Sequence, residues 1–536
     1  MDIFSKLLAE KIFLISLIIF TIIFKRRSKL IQSLKTYKKD ISFLLIISLL
    51  FLPFAFGFGY SDDWAQAVCA KSFILRDKDL FRDCPHYGYT YPIFLSAFFL
   101  LFGINEVSLI VAHFVISMMT FFFVYFTSLF LSNDRKVAAL TLFLLLSFDL
   151  FLSGSFIIRQ RNVVALLFIF STLAFMVYGI KKKDLYIYSL SLPSLFLGVG
   201  VKYELLNLIY PIIIFYVYCF KREIKKTLPI FLSFFLVSIV FDYYSLKNIS
   251  YFFSPHICAD LLQYFEDKVD NKLTRALDRF VQPILGPNYS TGFIYKNLKS
   301  TLNFITKEPL EFSIILASMI ILLINRKFLE LLLPLSFTAF LLPVFLVNYL
   351  NIHQWYFFLF ITPLFLLGGY ILKIENFIQN KTGKKNLEII FFLVFLLIFL
   401  ANFLELRKEF LGIQESKGYK IQREKEVRKI ESYIPSNSTV ITEAETMHLK
   451  FYFHKGYNII SVHDILSEMQ KMAYSLNSSK PISFYCPNLQ NLKEIYLVDT
   501  GEVSGVNRLA IKCLLRNYGN EIIFKDDIVE IRRIYL

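Results

Sequence analysis

The sequence has no Cys-x-x-Cys pair, no His-x-x-x-His pair and no glycine-rich phosphate loop. Zinc ribbons, dithiol redox centres, metal sites of the His-x-x-x-His type and the common nucleotide folds are thereby left without their ligands. Charge is scarce too, since only 19% of the 536 residues are Asp, Glu, Lys or Arg. The basic excess, 58 Lys and Arg against 42 Asp and Glu, accompanies no nucleic-acid motif, so no nucleic-acid partner is expected. The N-terminus lacks the small cleavage-site residues of a signal peptide, and its densest basic cluster follows its apolar stretch. Its apolar stretch from Ile12 to Phe24, closed by Lys25, Arg26 and Arg27, reads as a retained span. Neither an internal repeat nor a low-complexity tract occurs.

Apolar sequence is abundant. Hydrophobic residues make up 56% of the chain, 61 of them Phe, and the mean hydropathy is +0.55. Runs able to cross a bilayer lie near 3–24, 41–60, 106–131, 137–155, 163–180, 185–201, 205–220, 228–241, 309–324, 328–348, 357–374 and 386–404. They predict a multi-spanning α-helical membrane protein of about twelve helices. Basic residues collect in alternate connections: 25–39, Arg135 and Lys136, Lys181 to Lys183, 221–226, Arg326 and Lys327, and 381–385. By the positive-inside rule these face the cytoplasm. Both termini then lie outside, with an acidic loop at 60–91, turns near 156–162, 202–204 and 349–356, and a long loop at 242–308. The stretch 92–105 is too short to cross alone and is expected as a juxtamembrane or re-entrant helix.

After about Leu404 the pattern changes. Segments 439–442, 457–462, 494–499, 521–524 and 528–534 read as strands, and 424–434 and 463–476 as helices. Residues 1–404 are expected as a transmembrane domain and 405–536 as a C-terminal extracytoplasmic α/β domain. Six cysteines leave connectivity undetermined; a Cys486–Cys513 bridge and free buried thiols are both compatible with the sequence.

Four outward elements carry polar chemistry. Asp62 and Asp63 stand where the second apolar run leaves the lipid, followed by a loop with His86 and Tyr91. Arg159 and Arg161 lie between two apolar runs; Lys202, Tyr203 and Glu204 occupy a helix junction; His353, Gln354 and Tyr356 occupy another. Each has a blander reading. Acidic loops are common, an arginine can snorkel to the interface, Lys202 and Glu204 can neutralise each other, and aromatic residues form interfacial belts. Together, cations and carboxylates at one interface suit a reaction on a phosphorylated lipid, because a cation neutralises phosphate while a carboxylate removes a proton.

The order of SDDWAQAVCAKSF, YTYPIFLSAFFLLFG, EVSLIVAHFVISMMTFFFVYF, GVGVKYELLNLIYP and HQWYFFLFITPLFLL resembles the C-type (GT-C) superfamily of integral membrane glycosyltransferases. That superfamily includes protein O-mannosyltransferases and the aminoarabinose transferases that modify lipid A. The resemblance spans roughly 41–404. It implies a polyprenyl- or dolichyl-phosphate-linked sugar as donor and a glycan, lipid or protein as acceptor on the outer face of the plasma membrane. It also implies catalytic roles for Asp62 and its acidic neighbour Asp63, and a lysine near the donor phosphate at Lys202. Three departures stand out. The family's tyrosine soon after the acidic pair is unmatched, its late arginine is replaced by Gln354, and Arg159 and Arg161 lie where some members are acidic. Phosphate binding by these two arginines follows from their charge alone. No cofactor is assigned; a divalent metal at Asp63 is left open. The expected activity is a hexosyl- or pentosyl-type transfer. The alternatives are a transporter or lipid flippase, a noncatalytic assembly subunit, and a sugar-polymer ligase or polymerase.

Overall fold

The computed structural model describes residues 2–52, 61–82, 88–148, 161–243, 309–347, 361–373, 425–442, 450–453, 457–462, 486–489, 494–499, 507–526 and 529–535, with single positions between them. The chain packs as two units. Residues 1–57 and 85–410 form one, and 58–84 with 411–536 form the other. The boundary expected at 404 therefore leaves out 58–84, which group with the C-terminal segment.

The first unit is helical. Its described α-helices include α1 (Ile3–Thr36), α2 (Lys38–Phe51), α5 (Thr90–Phe102), α6 (Glu106–Ser132), α7 (Arg135–Leu146), α8 (Arg161–Lys182), α9 (Leu185–Ser189), α10 (Ser191–Val199), α11 (Ile209–Phe220), α12 (Ile224–Phe241), α13 (Pro309–Ile324) and α14 (Phe328–Val347). Among the described residues, three helical segments are long and apolar enough to cross a membrane: Glu106–Ser132, Val163–Lys182 and Tyr203–Phe241. Shorter apolar helices accompany them, and the last expected run, 386–404, lies almost wholly outside the described residues. Helix α5 has 13 residues, about 20 Å of rise, less than the hydrocarbon core. It stops at Gly103, whose φ of 84° suits a residue without Cβ. Asn105 then caps α6 by accepting the Ser108 N–H at 2.9 Å.

In lipid, helices associate through small residues and hydroxyl bonds rather than through a hydrophobic gradient. Ser128 donates to Thr141 (3.0 Å) between α6 and α7, and Thr127 bonds the Phe170 carbonyl (3.2 Å) of α8. Ser171 and Ser194 are 2.6 Å apart between α8 and α10. Gly369 lets its segment approach α7, where a Cβ would stand 2.3 Å from the Val137 carbonyl oxygen.

The second unit holds a five-stranded sheet. Its strands are β1 (Thr439–Thr442), β2 (Asn458–Ser461), β3 (Ile495–Asp499), β4 (Gly519–Lys525) and β5 (Glu530–Tyr535), in the order β2-β1-β3-β5-β4. β1 runs parallel to β2 and β3; β5 is antiparallel to β3 and β4. Period-two alternation buries both faces of the central strands. Ile441, Ile495 and Leu497 meet Ala510 and Leu514 of helix Asn507–Asn517 on one side. Val440, Tyr496 and Val498 meet Val427 and Ile430 on the other. Cys486 and Cys513 form a disulfide, and Cys69 is disulfide-bonded as well. Cys219, in the helical unit, is free.

Residues 60–91, expected as a loop, contain two helices, α3 (Ser61–Leu75) and α4 (Lys78–Arg82). The run WAQAVCAKSFIL, with Ala, Gln, Lys and Leu and neither Gly nor Pro, favours helix by propensity.

Candidate active site

The helical unit collects polar side chains at two places. One lies where the N-terminus of α5 meets the end of α10. The Thr90 N–H donates to the Gly200 carbonyl at 2.9 Å. The two strands of chain touch so closely that a Cβ at Gly88 would stand 2.1 Å from the Gly200 oxygen. One at Gly200 would stand 2.1 Å from Thr90 Oγ1 and 2.8 Å from Lys11 Nζ. Glycine at both positions is what permits the crossing.

Lys202 follows two residues later. Its backbone is extended (φ −142°, ψ 115°) and it precedes the 3₁₀ turn Tyr203–Leu208. Its N–H donates to the Gly198 carbonyl at 2.8 Å. The side chains of Lys202 and Glu204 are buried, whereas Tyr203 is half-buried. Tyr91, in the first turn of α5, is buried and its hydroxyl lies 2.9 Å from His113 Nδ1 on α6. Lys11 of α1 and Asp242, at the end of α12, form a fully buried ion pair. Lys11, Asp242 and His113 were missed from the sequence. A signal existed for the lysine, which interrupts an apolar run at Glu10–Lys11.

The second place draws together the basic connections. Arg135 bonds Asp40 at 3.0 Å, and the Tyr125 hydroxyl donates to the same carboxylate at 2.6 Å. Lys373 pairs with Asp134, whose side chain also caps α7 by accepting the Lys136 N–H at 2.9 Å. Lys181 donates to the Leu131 carbonyl at 2.5 Å. Burial pushes the Asp134 carboxyl up, but hydrogen bonding and charge from Lys373 hold it below its ordinary value. Residues assigned to one membrane face by hydropathy thus meet one another, and so do residues assigned to the opposite face.

In the second unit, Asp62 and Asp63 fall in the first turn of α3. The side chains of Asp62, Asp63 and Arg161 lie outside the described residues, although their backbones open α3 and α8. His86, Arg159, His353, Gln354 and Tyr356 lie wholly outside them. Among the described residues no three His, Cys, Asp or Glu side chains group to hold a metal. The Asp63 carboxylate lies outside that set, so no step is routed through a metal.

Residues 88–243 match the model of the dolichyl-phosphate-mannose-protein mannosyltransferase family. The stretch includes Thr90, Tyr91, His113, Lys202, Glu204 and Asp242. The crystal structure of ArnT from Cupriavidus metallidurans bound to undecaprenyl phosphate is similar to the chain with a TM-score of 0.57 and 11% identity, covering 92% of this chain and 98% of that one. The apo state of the same protein gives a TM-score of 0.52 and 12% identity, covering 93% and 98%. No curated protein sequence matches the chain. The resemblance to the C-type superfamily is present both in the family match and in the fold. With the apolar helices, it makes the chain a multi-pass membrane protein.

Proposed function

We propose that the protein is a glycosyltransferase that moves a sugar from a polyprenyl-phosphate-linked donor to an acceptor on the extracytoplasmic face. The observation that carries this reading is the likeness, over 92% of the chain, to a fold solved with undecaprenyl phosphate bound. The mannosyltransferase family match supports it over the segment that contains Lys202. A lysine buried at the junction of two apolar helices is costly unless an anion or a partner meets it.

In this reading Asp62 is the general base. It takes the proton from an acceptor hydroxyl, the oxygen attacks the anomeric carbon, and polyprenyl phosphate leaves. Lys202, helped by Arg159 or Arg161, meets the charge that grows on the departing phosphate. Asp63 adds negative charge beside the base. The disulfides of the second unit favour an oxidising compartment for it, in keeping with an extracytoplasmic position.

Sugar transfer by the purified protein in nanodiscs, from polyprenyl-phosphate donors, tests the reading. Asp62→Asn is expected to lower turnover by about 10²–10⁴, the usual worth of a general base, with folding preserved. Lys202→Met keeps the apolar stem and removes the charge, so donor use should be lost. Normal transfer by D62N excludes Asp62 as base; normal donor affinity in K202M removes Lys202 from the phosphate site. One observation favours a second reading, a transporter. Lys11 and Asp242 are ionisable groups buried among helices, as a substrate pathway requires. A wild-type protein inert with every donor and acceptor would favour that reading.

A further inference from the structure

Helix α3 bears the acidic pair, yet it packs in the unit of the C-terminal sheet. Trp64 is fully buried, its ring centroid 5.1 Å from that of Phe451 and 5.5 Å from that of Tyr452. Two turns further along, the buried Lys71 ammonium donates to three backbone carbonyls: Lys450 at 3.0 Å, Phe451 at 2.9 Å and Phe453 at 2.6 Å. An ammonium has three N–H donors, so this set uses all of them. Lys450 and Phe451 are helical and Phe453 lies just past that helix, at the end whose dipole attracts a cation. Cys69, between these two anchors, is fully buried and disulfide-bonded. Burial lowers the lysine to about 8, with Glu431 and then Asp77 opposing the shift, so at neutral pH it stays mostly charged.

We propose that the C-terminal α/β unit is a positioning element of the transfer reaction: Trp64 and Lys71 fasten to it the helix that presents Asp62 and Asp63. The proposal rests on the role given to Asp62 above and extends it to residues that touch no substrate. A general base acts only within hydrogen-bond reach of its proton, and a displacement of about 1 Å costs on the order of 10²-fold in rate. Loosening α3 should therefore slow the chemical step. Binding of the donor should change little.

The test uses the full-length protein in nanodiscs, with kcat and donor KM measured beside amide hydrogen exchange of residues 64–75. Lys71→Met and Trp64→Ala should each lower kcat by about 10- to 100-fold, with donor KM within about twofold of wild type. Exchange in α3 should quicken while β1 and β3 stay protected. Trp64→Phe, which keeps a ring against Phe451, should stay within about threefold of wild type and recover protection. If K71M does not fold, the two Trp64 variants carry the test. Faster exchange in α3 with unchanged kcat overturns the proposal, as does unchanged exchange in both loosened variants. If the wild type transfers nothing, the function reading fails instead, and exchange alone then reports whether Trp64 and Lys71 hold the helix.

Discussion

The two polar ends of the helical unit hold their charges in opposite ways. Where α5 meets α10, the charges are sunk: Lys11 is 1% exposed, Asp242 0% and Lys202 3%. Where the basic connections gather, the cations stay wet, with Arg135 56% and Lys373 33% exposed, although Arg135 reaches in to an Asp40 that is 3% exposed. A partly exposed pair such as Lys373 with Asp134 costs little and contributes little, because water and salt screen it. Charges of the first kind each carry a desolvation penalty of several kcal/mol, and such groups persist where a structure or a reaction requires them. The contrast distinguishes a site from a surface within one set of helices.

The comparison breaks most sharply at Lys11. Lys11→Met removes the cation that faces the buried Asp242 carboxylate, so stability should fall by about 3–5 kcal/mol. Replacing both residues together, K11M with D242L, should restore most of the loss. Thermal unfolding in detergent measures both; a cost below about 1 kcal/mol for K11M would put this pair in the same class as the rim pairs.

Next in size comes Gly200→Ala. Its methyl would meet Thr90 Oγ1 and Lys11 Nζ within 2.8 Å, and overpacking of this kind costs about 1–3 kcal/mol. Donor use should decline with it, since Lys202 is two residues away. An alanine variant with wild-type melting and donor KM would show that the α5–α10 crossing has slack.

The smallest effect belongs to the rim. Lys373→Ala should cost about 0–1 kcal/mol near neutral pH. A carboxyl held below its unfolded value adds stability that is present above the unfolded value and lost as pH falls through the folded one. For Asp134 that window lies below about pH 4, and K373A should flatten the acid limb there. Unchanged acid unfolding would mean that Lys373 does not set the carboxyl's behaviour.

Much of the architecture was readable from periodicity. The segments TVIT, YNIISV, EIYLVD, EIIF and IVEIRRI lie on the five strands, because alternation and β-branched content mark a half-buried or buried strand locally. The apolar run 309–324 coincides with Pro309–Ile324 for the same kind of reason. Lys202, a cation at a helix junction, was visible as a charge out of place. The Lys11–Asp242 pair was not, since its partners are 231 residues apart and neither alone specifies the other. Nor was the membership of α3. Hydropathy treats 60–91 as a link between spans and is silent about a tryptophan and a lysine that seat it against residues 450–453.

The sequence by itself determined that the chain enters the membrane, where its basic connections alternate, and that a sheet-forming segment follows the helices. Composition and period act over tens of residues at most, and these properties need no more. Tertiary structure alone decided which lysine is buried beside which aspartate, which glycines two strands of chain cross, and which unit holds the acidic helix. Those are long-range choices, made by shape, by the need to pair every buried charge and by backbone groups seeking donors and acceptors across the fold.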